Sequence, residues 1–466
     1  VKSARAEAAA AFGDGTVFLE ALLPRARHLE VQLAADDAGT VWTLGVRDCS
    51  VQRRRQKVIE ESAPPGIDAR VQAAIAEAAA RLCREAGYSN VGTVEFLYRP
   101  DDDSFAFLEV NARLQVEHTV TEVVTGIDLV RLQLDLATGQ PLVGSPPAAR
   151  GHAVEVRVNA EDPGRGLAPA PGRVAVLRLP QGPGIRTDTG VVEGETISAE
   201  FDPMIAKVIA WGRNRDEAIA RLATSLDQSM IVVDGGATNR TLLLATLEHP
   251  RFREGQVDTG WLDEALAHGE LTRRDHAAIA LVAAAICTYE ARFANDLRHF
   301  VSTARRGRPD ARRDLSAIEI AAEGESHILF VHRLDESTYR IRYAEEVVEI
   351  TVERFGEHEL RLRTGGRSIS LHTHSDGTDV LVEIGAEAHR FHGADAGVVR
   401  APAPAVIVGI PVSIGDHVQT GAPLIRRVVS SSESSCTLSA ASTVMTSRVM
   451  MSAAFTQAPL RGDGSS

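Results

Sequence analysis

The sequence has few cysteines and very few lysines. Its four cysteines are scattered over 466 residues without a CxxC pair, which argues against a disulfide framework or a cysteine-based zinc site. We therefore expect a reducing, cytoplasmic location. Lysine occurs only at Lys2, Lys57 and Lys207 among 50 basic residues, and arginine supplies the rest. A lysine inside a charged segment is thus a candidate for a specific role.

Long apolar runs and excess positive charge are also missing. We expect no membrane partner, because by inspection no apolar run is long enough to cross a bilayer and the first eleven residues lack the order of a signal peptide. The net charge of -13 argues against a nucleic-acid partner bound by phosphate neutralisation. The length suffices for roughly two to four domains with substantial cores.

The segment 109–117 alternates polar and apolar residues, as expected of a strand with one polar face. Its polar positions are Glu109, Asn111, Arg113, Gln115 and Glu117. A second strand is predicted at 91–98, and residues 99–104 have turn composition. A hairpin centred near Asp102 would place Glu95 directly across from Glu109. The opposite face, predicted to be buried, would contain Val94, Phe96, Leu108 and Val110.

Two facing carboxylates are destabilising unless something compensates their charge. One interpretation is a solvated polar face, which is common on alternating strands. The other is an oxygen cluster of Glu95, Glu109 and Asn111, of the type that Mg²⁺ prefers when it also holds phosphates. Because clustered carboxylates need compensation, the hairpin favours the metal site.

Two further cations stand out. Arg53 and Arg54 belong to a basic run that is typical of a solvated loop. Lys57 instead begins a short apolar segment that is typical of a strand, and two glutamates follow that segment. Arg157 lies among apolar neighbours on a strand predicted at 154–159. It is either paired with an acid or directed at an anionic ligand, and the sequence leaves both possibilities open.

The remaining periodicity changes from helical to alternating near residue 315. Helices are predicted at 3–12, 67–86, 120–138, 214–228, 239–248, 258–267 and 274–294, and further strands at 16–22, 28–34 and 40–47. A linker is predicted at 305–313. Eight short, evenly spaced strands between 318 and 392 predict a small antiparallel barrel. Strands are also predicted at 406–412, 414–418 and 421–425, and no strand period follows Arg426.

Several motifs occur in order with characteristic spacing, at residues 28–32, 47–61, 92–97, 108–118 and 155–163. Together they resemble the biotin carboxylase component of biotin-dependent carboxylases, an ATP-grasp enzyme. Residues 315–395 look like the barrel that tethers this component to its partners in acyl-CoA carboxylases. Residues 401–425 look like the first half of a biotinyl carrier domain.

The resemblance implies an α+β chain with a partial ATP-grasp domain and a biotin carboxylase C-terminal domain, followed by a small antiparallel β-barrel and a fragment of a β-rich biotinyl or lipoyl-type domain. The implied domains are 1–140 (partial ATP-grasp), 141–268 (C-terminal domain), 269–314 (helical linker), 315–398 (tethering barrel), 399–425 (partial carrier) and 426–466 (disordered or aberrant tail). By this likeness the chain begins within the family's lid subdomain, so we expect impaired activity. A shifted reading frame after Ile425 is a further hypothesis.

The resemblance also implies the roles of individual residues. Glu95, Glu109 and Asn111 would hold Mg²⁺ or Mn²⁺ against the phosphates of ATP. The bicarbonate cradle would comprise Lys57, Arg113, Gln115 and the backbone of Val116.

Two catalytic residues and a nucleotide site complete the implied active site. Glu117 would be the general base that deprotonates bicarbonate, and Arg157 would stabilise the biotin enolate. The implied nucleotide-site residues are Glu20, Leu22, Leu23, His28, Glu30, Gln52 and Arg55.

The implied reaction is ATP-dependent carboxylation of biotin with bicarbonate, one half-reaction of an acyl-CoA carboxylase. Biotin would be carried by a carrier protein from another chain, because no lysine follows Lys207. A carboxyltransferase would be the second partner, in an oligomeric assembly. The alternatives are a non-catalytic assembly fragment that docks a carboxyltransferase, and a ligase of the carbamoyl-phosphate synthetase type. The barrel and the carrier-like segment argue against the latter.

Overall fold

The computed structural model describes residues 1–303, 316–322, 324–393, 406–409, 411–412, 423–428 and 436–439. It divides into two compact units, Val1–Phe391 and His392–Ser466. The predicted linker at 305–313 lies outside the described residues.

The strand predicted at 16–22 is not formed, and this prediction is wrong. The segment has no regular structure, and the side chains of Phe18, Leu19 and Leu22 are more than four-fifths exposed. A strand needs a neighbour to pair its backbone amide and carbonyl groups, and the described residues offer this segment none. The alternation of apolar residues alone was therefore insufficient to predict a strand here.

Thirteen strands lie between residues 27 and 234. They are β1 (Arg27–Ala35), β2 (Val41–Arg53), β3 (Gln56–Ser62), β4 (Asn90–Arg99), β5 (Ser104–Asn111), β6 (His152–Asn159), β7 (Glu161–Asp162), β8 (Ala168–Pro169), β9 (Gly172–Arg178), β10 (Ile185–Thr189), β11 (Thr196–Ile197), β12 (Met204–Gly212) and β13 (Met230–Asp234). Eight of them form one antiparallel sheet in the order β10-β12-β6-β3-β2-β1-β4-β5. The strands β11-β9-β13 form a second sheet, and β7 pairs with β8.

Nine α-helices lie in the described chain, of which the first buries no residue. They are α1 (Lys2–Phe12), α2 (Ala69–Glu85), α3 (His118–Thr125), α4 (Leu129–Ala137), α5 (Arg215–Asp227), α6 (Arg240–Glu248), α7 (Pro250–Arg253), α8 (Trp261–Ala267) and α9 (Ala277–Ser302), with a 3-10 turn at Pro163–Arg165. Helix α2 buries Val71, Ile75 and Ala79, at the three- to four-residue spacing of one helical face, against the sheet.

The single helix predicted at 120–138 is in fact two helices. Gly126 ends α3 with a left-handed backbone, φ 74°. Asp128 then begins α4, its side chain accepting a hydrogen bond from the backbone N–H of Arg131. Glycine is favoured at such a helix end, and aspartate at such a start, so local capping divides an otherwise continuous apolar pattern.

The β4–β5 hairpin has the predicted register at Glu95, which pairs with Glu109. A bulge follows and places Phe107, rather than Leu108, opposite Phe96. The opposite face is buried on β4, but Val110 is 42 % exposed, because β5 is the edge strand of the sheet. The prediction of a fully buried opposite face was therefore wrong on β5.

Eight strands form a closed antiparallel barrel, as the sequence predicted. They are β14 (Ser316–Ala322), β15 (Glu325–Arg333), β16 (Thr338–Tyr343), β17 (Glu346–Arg354), β18 (Glu359–Thr364), β19 (Arg367–Asp376), β20 (Asp379–Ile384) and β21 (Glu387–Gly393). Alternate residues such as Ile318, Leu329 and Val382 are buried inside it. The buried face of α9, including Ile286 and Tyr289, joins the same core.

Helix α9 is long and apolar enough to cross a membrane, by length and composition only. The sequence-based expectation that no such segment exists therefore fails for this helix. Since part of its surface is buried against the barrel, and core helices of folded domains pass the same test, this is weak support for a membrane span.

The second unit contains strands β22 (Val406–Gly409), β23 (Pro423–Val428) and β24 (Cys436–Ser439), which pair antiparallel in that order. No strand was predicted after Arg426, so this expectation is wrong for the end of β23 and for β24. Backbone pairing with a neighbour does not require the side-chain alternation used for the prediction. The strand predicted at 414–418 and the rest of the 426–466 tail lie outside the described residues.

Candidate active site

Lys57 on β3 lies at the centre of a cluster of carboxylates. Its ammonium Nζ donates hydrogen bonds to Glu30 Oε2 at 2.6 Å, Glu95 Oε1 at 3.0 Å and Glu117 Oε1 at 2.6 Å. Burial works against a charged lysine, but the surrounding carboxylates outweigh it and raise the pKa of Lys57 above its ordinary value. The rare lysine that the sequence singled out is therefore a fixed positive charge.

Glu30 on β1 is the most deeply buried member of this cluster. The guanidinium of Arg47, on β2, donates from Nε to Glu30 Oε1 at 2.6 Å, and Lys57 binds the other oxygen. Burial opposes ionisation of Glu30, yet Arg47, Lys57 and His28 lower its pKa to about 2. The side chain is consequently an ionised carboxylate inside the sheet.

Glu95, Glu109 and Asn111 converge as the hairpin predicted. The amide Nδ2 of Asn111 lies 3.1 Å from Glu95 Oε1 and 3.2 Å from Glu109 Oε1. Burial opposes ionisation of Glu95, but a hydrogen bond from His28 and the charges of His28 and Lys57 lower its pKa to about 2. Two carboxylates and one amide offer the oxygen ligands that Mg²⁺ prefers, so the residues present fit such an ion.

Glu117 connects Lys57 to Arg157. One carboxylate oxygen accepts from Lys57, and the other lies 2.9 Å from Nη2 of Arg157. Arg157 also donates from Nε to Glu60 Oε1 at 2.7 Å. Burial disfavours the charged guanidinium, but Glu60 and Glu117 raise the pKa of Arg157 above its ordinary value. Of the two possibilities left open by the sequence, the structure shows pairing with acids.

The predicted strand does not continue to Glu117. Strand β5 ends at Asn111, and residues 112–117 form an irregular connection before α3. Gln115 still reaches the cluster, donating from Nε2 to Glu95 Oε1 at 2.7 Å. Arg113 is exposed, and its guanidinium donates to the carbonyl of Leu114 at 3.3 Å. The prediction of one continuous polar face was wrong, because the backbone leaves the sheet before Arg113.

The backbone of Val116 is fixed by a cation that the sequence did not assign to the site. The ammonium of Lys207, on β12, donates to the carbonyl oxygen of Val116 at 2.6 Å and lies 3.1 Å from Thr119 Oγ1. The sequence feature that could have identified Lys207 as a site residue is the rarity of lysine, since the chain has three.

Three of the seven predicted nucleotide-site residues lie in the cluster or directly beside it. His28 Nε2 lies 2.8 Å from Glu95 Oε2, and His28 Nδ1 lies 2.5 Å from Gln52 Nε2. Glu30 is their neighbour on β1, two residues along the same face.

The other four are not assembled with them. Glu20 and Leu22 are exposed and Leu23 is half-buried, all in the segment that lacks a strand partner. Arg55 is exposed in the β2–β3 turn, with φ 68°. None of these four contacts the Lys57 cluster through the hydrogen bonds or ion pairs found in the described chain.

Sequence reasoning missed several charged residues that complete the network. Arg47 is 1 % exposed and also donates to Gln32 Oε1 and Thr121 Oγ1, both at 2.8 Å. Glu60 and Glu155 are fully buried on β3 and β6. In the sequence, both glutamates lie within apolar, strand-like segments. That position could have indicated a buried partner, since charged residues are rarely buried without one.

Comparisons with known proteins agree with this geometry. Residues 1–144 match the family described as "Carbamoyl-phosphate synthase L chain, ATP binding domain", and residues 155–264 match "Biotin carboxylase C-terminal domain". Biotin carboxylase of Pseudomonas aeruginosa is 42 % identical over 267 residues, covering 57 % of this chain and 58 % of the relative. Biotin carboxylase 1 of Bacillus subtilis is 40 % identical over 265 residues, covering 56 % and 58 %.

Solved structures show the same similarity. A Campylobacter jejuni biotin carboxylase in a beta-gamma-ATP complex has a TM-score of 0.54 at 37 % identity, covering 56 % of this chain and 58 % of that one. The biotin carboxylase domain dimer of Hydrogenobacter thermophilus 2-oxoglutarate carboxylase, in complex with MgADP, ADP and bicarbonate, has a TM-score of 0.54 at 36 % identity, covering 57 % and 58 %. This chain thus spans a little over half the length of each of these four proteins. With both domain families in order and the charged cluster at their junction, the chain belongs to the biotin carboxylase family of ATP-grasp proteins.

Proposed function

We propose that this chain carries out the ATP-dependent carboxylation of biotin with bicarbonate. The observation that carries the proposal is the placement of Glu117 between two fixed cations, Lys57 at 2.6 Å and Arg157 at 2.9 Å. A carboxylate held in this way can serve as a general base, while the cations beside it can bind the anion from which it takes the proton.

The chemistry matches what these residues offer. Phosphoryl transfer to bicarbonate requires anions to be held together while negative charge spreads, so positioned cations supply most of the catalysis. Lys57 and the Val116 backbone, fixed by Lys207, would border the bicarbonate. Arg157 can polarise the oxygen of biotin's urea group, which makes the ring nitrogen a better nucleophile. Arg113, exposed in this structure, would join the cradle only after moving.

Glu95, Glu109 and Asn111 would hold Mg²⁺. The ion, when bound, would neutralise phosphate charge on ATP. The complex of the 2-oxoglutarate carboxylase domain with MgADP and bicarbonate supports this part of the proposal, because that relative binds both. Mn²⁺ would suit the same oxygen ligands.

The family matched by residues 155–264 favours this reaction over that of a carbamoyl-phosphate synthetase. Residues 155–264 match the C-terminal domain of biotin carboxylase, and Arg157 lies in that part. We further propose that the complete protein is the biotin carboxylase part of an oligomeric acyl-CoA carboxylase in the cytoplasm. The biotin that this chain carboxylates would be carried by another chain, and the barrel would dock a carboxyltransferase.

Glu117→Gln tests the assigned base, because the amide keeps the size of the side chain but cannot accept the proton. We expect biotin- and bicarbonate-dependent phosphate release from ATP to fall about 100-fold or more. Glu85→Gln, at the exposed end of α2, is the matched control and should leave the rate unchanged. Undiminished turnover in Glu117→Gln would refute the assignment.

Isothermal titration with MgATP separates the enzyme from a non-catalytic assembly fragment. Saturable binding that weakens in Glu109→Gln supports the enzyme. No binding, with carboxyltransferase association through the barrel retained, would favour the assembly role instead.

A further inference from the structure

Two buried glutamates outside the proposed catalytic set lie side by side in the large sheet. Glu60 on β3 pairs in register with Glu155 on β6, so their side chains are direct cross-strand neighbours on one face. Both are 0 % exposed. Two carboxylates in this arrangement repel each other in a medium that screens poorly.

Each glutamate has one satisfied oxygen and one unsatisfied oxygen. Glu60 Oε1 accepts from Nε of Arg157 at 2.7 Å, and Glu155 Oε2 accepts from the hydroxyl of Thr119. Glu60 Oε2 and Glu155 Oε1 are both buried and accept no hydrogen bond from the described residues. Buried polar atoms without partners are costly, so such a pair requires a physical explanation.

A single proton removes both penalties. If one carboxyl is protonated, its O–H can donate to the free oxygen of the other, and the repulsion between two negative charges disappears. We propose that Glu60 and Glu155 share one proton and act together as a singly charged acid pair. The pair resembles the carboxyl dyads that share a proton because two adjacent like charges cannot both ionise easily.

The charged groups facing the pair are consistent with this assignment. Arg157, Glu117 and Lys57 act on Glu60, while Lys207 and Arg157 act on Glu155. Burial, assisted by Glu117 and opposed by Arg157, raises the pKa of Glu60 to about 7. Burial and the charge of Glu60, opposed by Lys207, raise the pKa of Glu155 to about 8. Both shifts favour a proton that stays on the pair.

The shared proton gives the pair a positioning role toward Arg157. Glu60 binds Nε of this guanidinium, and Glu117 binds its Nη2. When the pair carries one negative charge, Glu60 holds Arg157 beside Glu117. A second negative charge on Glu155 would otherwise compete with Glu117 for the same guanidinium. This consequence depends on the proposed function, whereas the shared proton itself does not.

Infrared difference spectroscopy between pH 6 and pH 9 detects the proton directly, through the carbonyl stretch of a protonated carboxylic acid. We expect the unmodified protein to show such a band, lost with rising pH, and Glu155→Gln and Glu60→Gln to lack it. Glu85→Gln should retain it. Absence of a titrating band in the unmodified protein, or its persistence in both pair variants, would overturn the proposal.

Thermal unfolding gives a second measurement that needs no activity. A carboxyl whose folded pKa is raised stabilises the fold at low pH, and this contribution is lost as the pH rises from about 4.3 toward the folded value. In Glu155→Gln the amide donates to Glu60 without titrating, so its melting temperature should rise relative to the unmodified protein by a few degrees between pH 5 and pH 8. A difference that stays constant with pH would contradict the shared proton.

The pH profile of phosphate release tests the positioning role separately. Glu155→Gln should keep kcat within a few-fold but lose one ionisation near neutral pH, whereas Glu60→Gln should lower kcat because Arg157 loses a partner. An unaltered profile in Glu155→Gln would remove the link to Arg157. If the unmodified protein has no activity, the proposed function fails, and the infrared and thermal measurements still decide whether the proton is shared.

Discussion

The ammonium of Lys57 lies 2.6 Å from a carboxylate oxygen of Glu117, although the two residues are 60 positions apart in the sequence. Lys57 comes from a strand inside the large sheet, and Glu117 directly precedes α3. Their contact joins the sheet to the connection that follows the edge hairpin. This partly buried cation contacts both Glu95, a proposed metal ligand, and Glu117, the proposed base.

Removing the charge of Lys57 should destabilise the protein. Lys57→Met leaves Glu30, Glu95 and Glu117 without their shared cation, and breaking a buried ion pair by removing one partner costs about 3–5 kcal/mol. Urea unfolding followed by circular dichroism measures this loss. Lys2→Met, in the exposed first turn of α1, is the control and should be close to neutral. Equal stability of the two variants would show that the cluster is compensated without Lys57.

Acid should weaken the fold partly through Glu30. Its pKa of about 2 is below the unfolded value of about 4.3, so its contribution is complete above pH 4.3 and is lost as the pH falls toward 2. The full shift corresponds to about 3 kcal/mol. Unfolding free energies measured from pH 7 to pH 2.5 should show a shallower decline in Glu30→Gln, together with lower stability at pH 7. Parallel curves for the two proteins would contradict the lowered pKa.

Glu109→Gln should weaken metal binding without harming the fold. The side chain is exposed on the edge strand β5 and is held near Glu95 by Asn111, so its main electrostatic role is as an oxygen ligand. We expect Mn²⁺ affinity, measured by electron paramagnetic resonance, to fall about tenfold or more, with melting temperature unchanged. Asp101→Asn, in the exposed hairpin turn, is the matched control. Unchanged Mn²⁺ affinity in Glu109→Gln would exclude Glu109 as a ligand.

The packing of α9 on the barrel should be worth several kilocalories per mole. Ile286 is 0 % exposed within the barrel core, so Ile286→Ala should cost about 2–5 kcal/mol by lost burial and a residual cavity. Leu297, later on the same helix, is 40 % exposed, and Leu297→Ala should cost much less. Calorimetric unfolding of both variants measures the contrast, and similar losses would show that α9 does not pack as described.

The β4–β5 hairpin shows what local sequence patterns can predict and what they cannot. Turn composition and alternation sufficed for the Glu95–Glu109 register, since a short turn aligns its two strands. The same alternation failed beyond Asn111, where the chain leaves the sheet for α3. Gln115 and Glu117 nevertheless reach the cluster, because an irregular connection can return side chains to a site that a straight strand would carry them past.

Long-range partners were harder to predict. Arg47 meets Glu30 across the short β1–β2 hairpin, but nothing near Arg47 in the sequence indicates that it binds Thr121, and nothing near Glu60 points to Glu155. The Glu60–Glu155 pair depends on β6 lying beside β3, and these two strands are far apart along the chain.

Ordered motifs and strand periodicity were enough to establish the family, the barrel and the identity of the charged groups, because these are local properties of the chain. Only the folded arrangement shows which acid meets which base: Arg157 with Glu60 and Glu117, Lys207 with the Val116 carbonyl, and Arg113 with solvent. The physical reason is that burial and charge pairing depend on which strands become neighbours. That arrangement is set by the packing of the whole sheet rather than by any single segment.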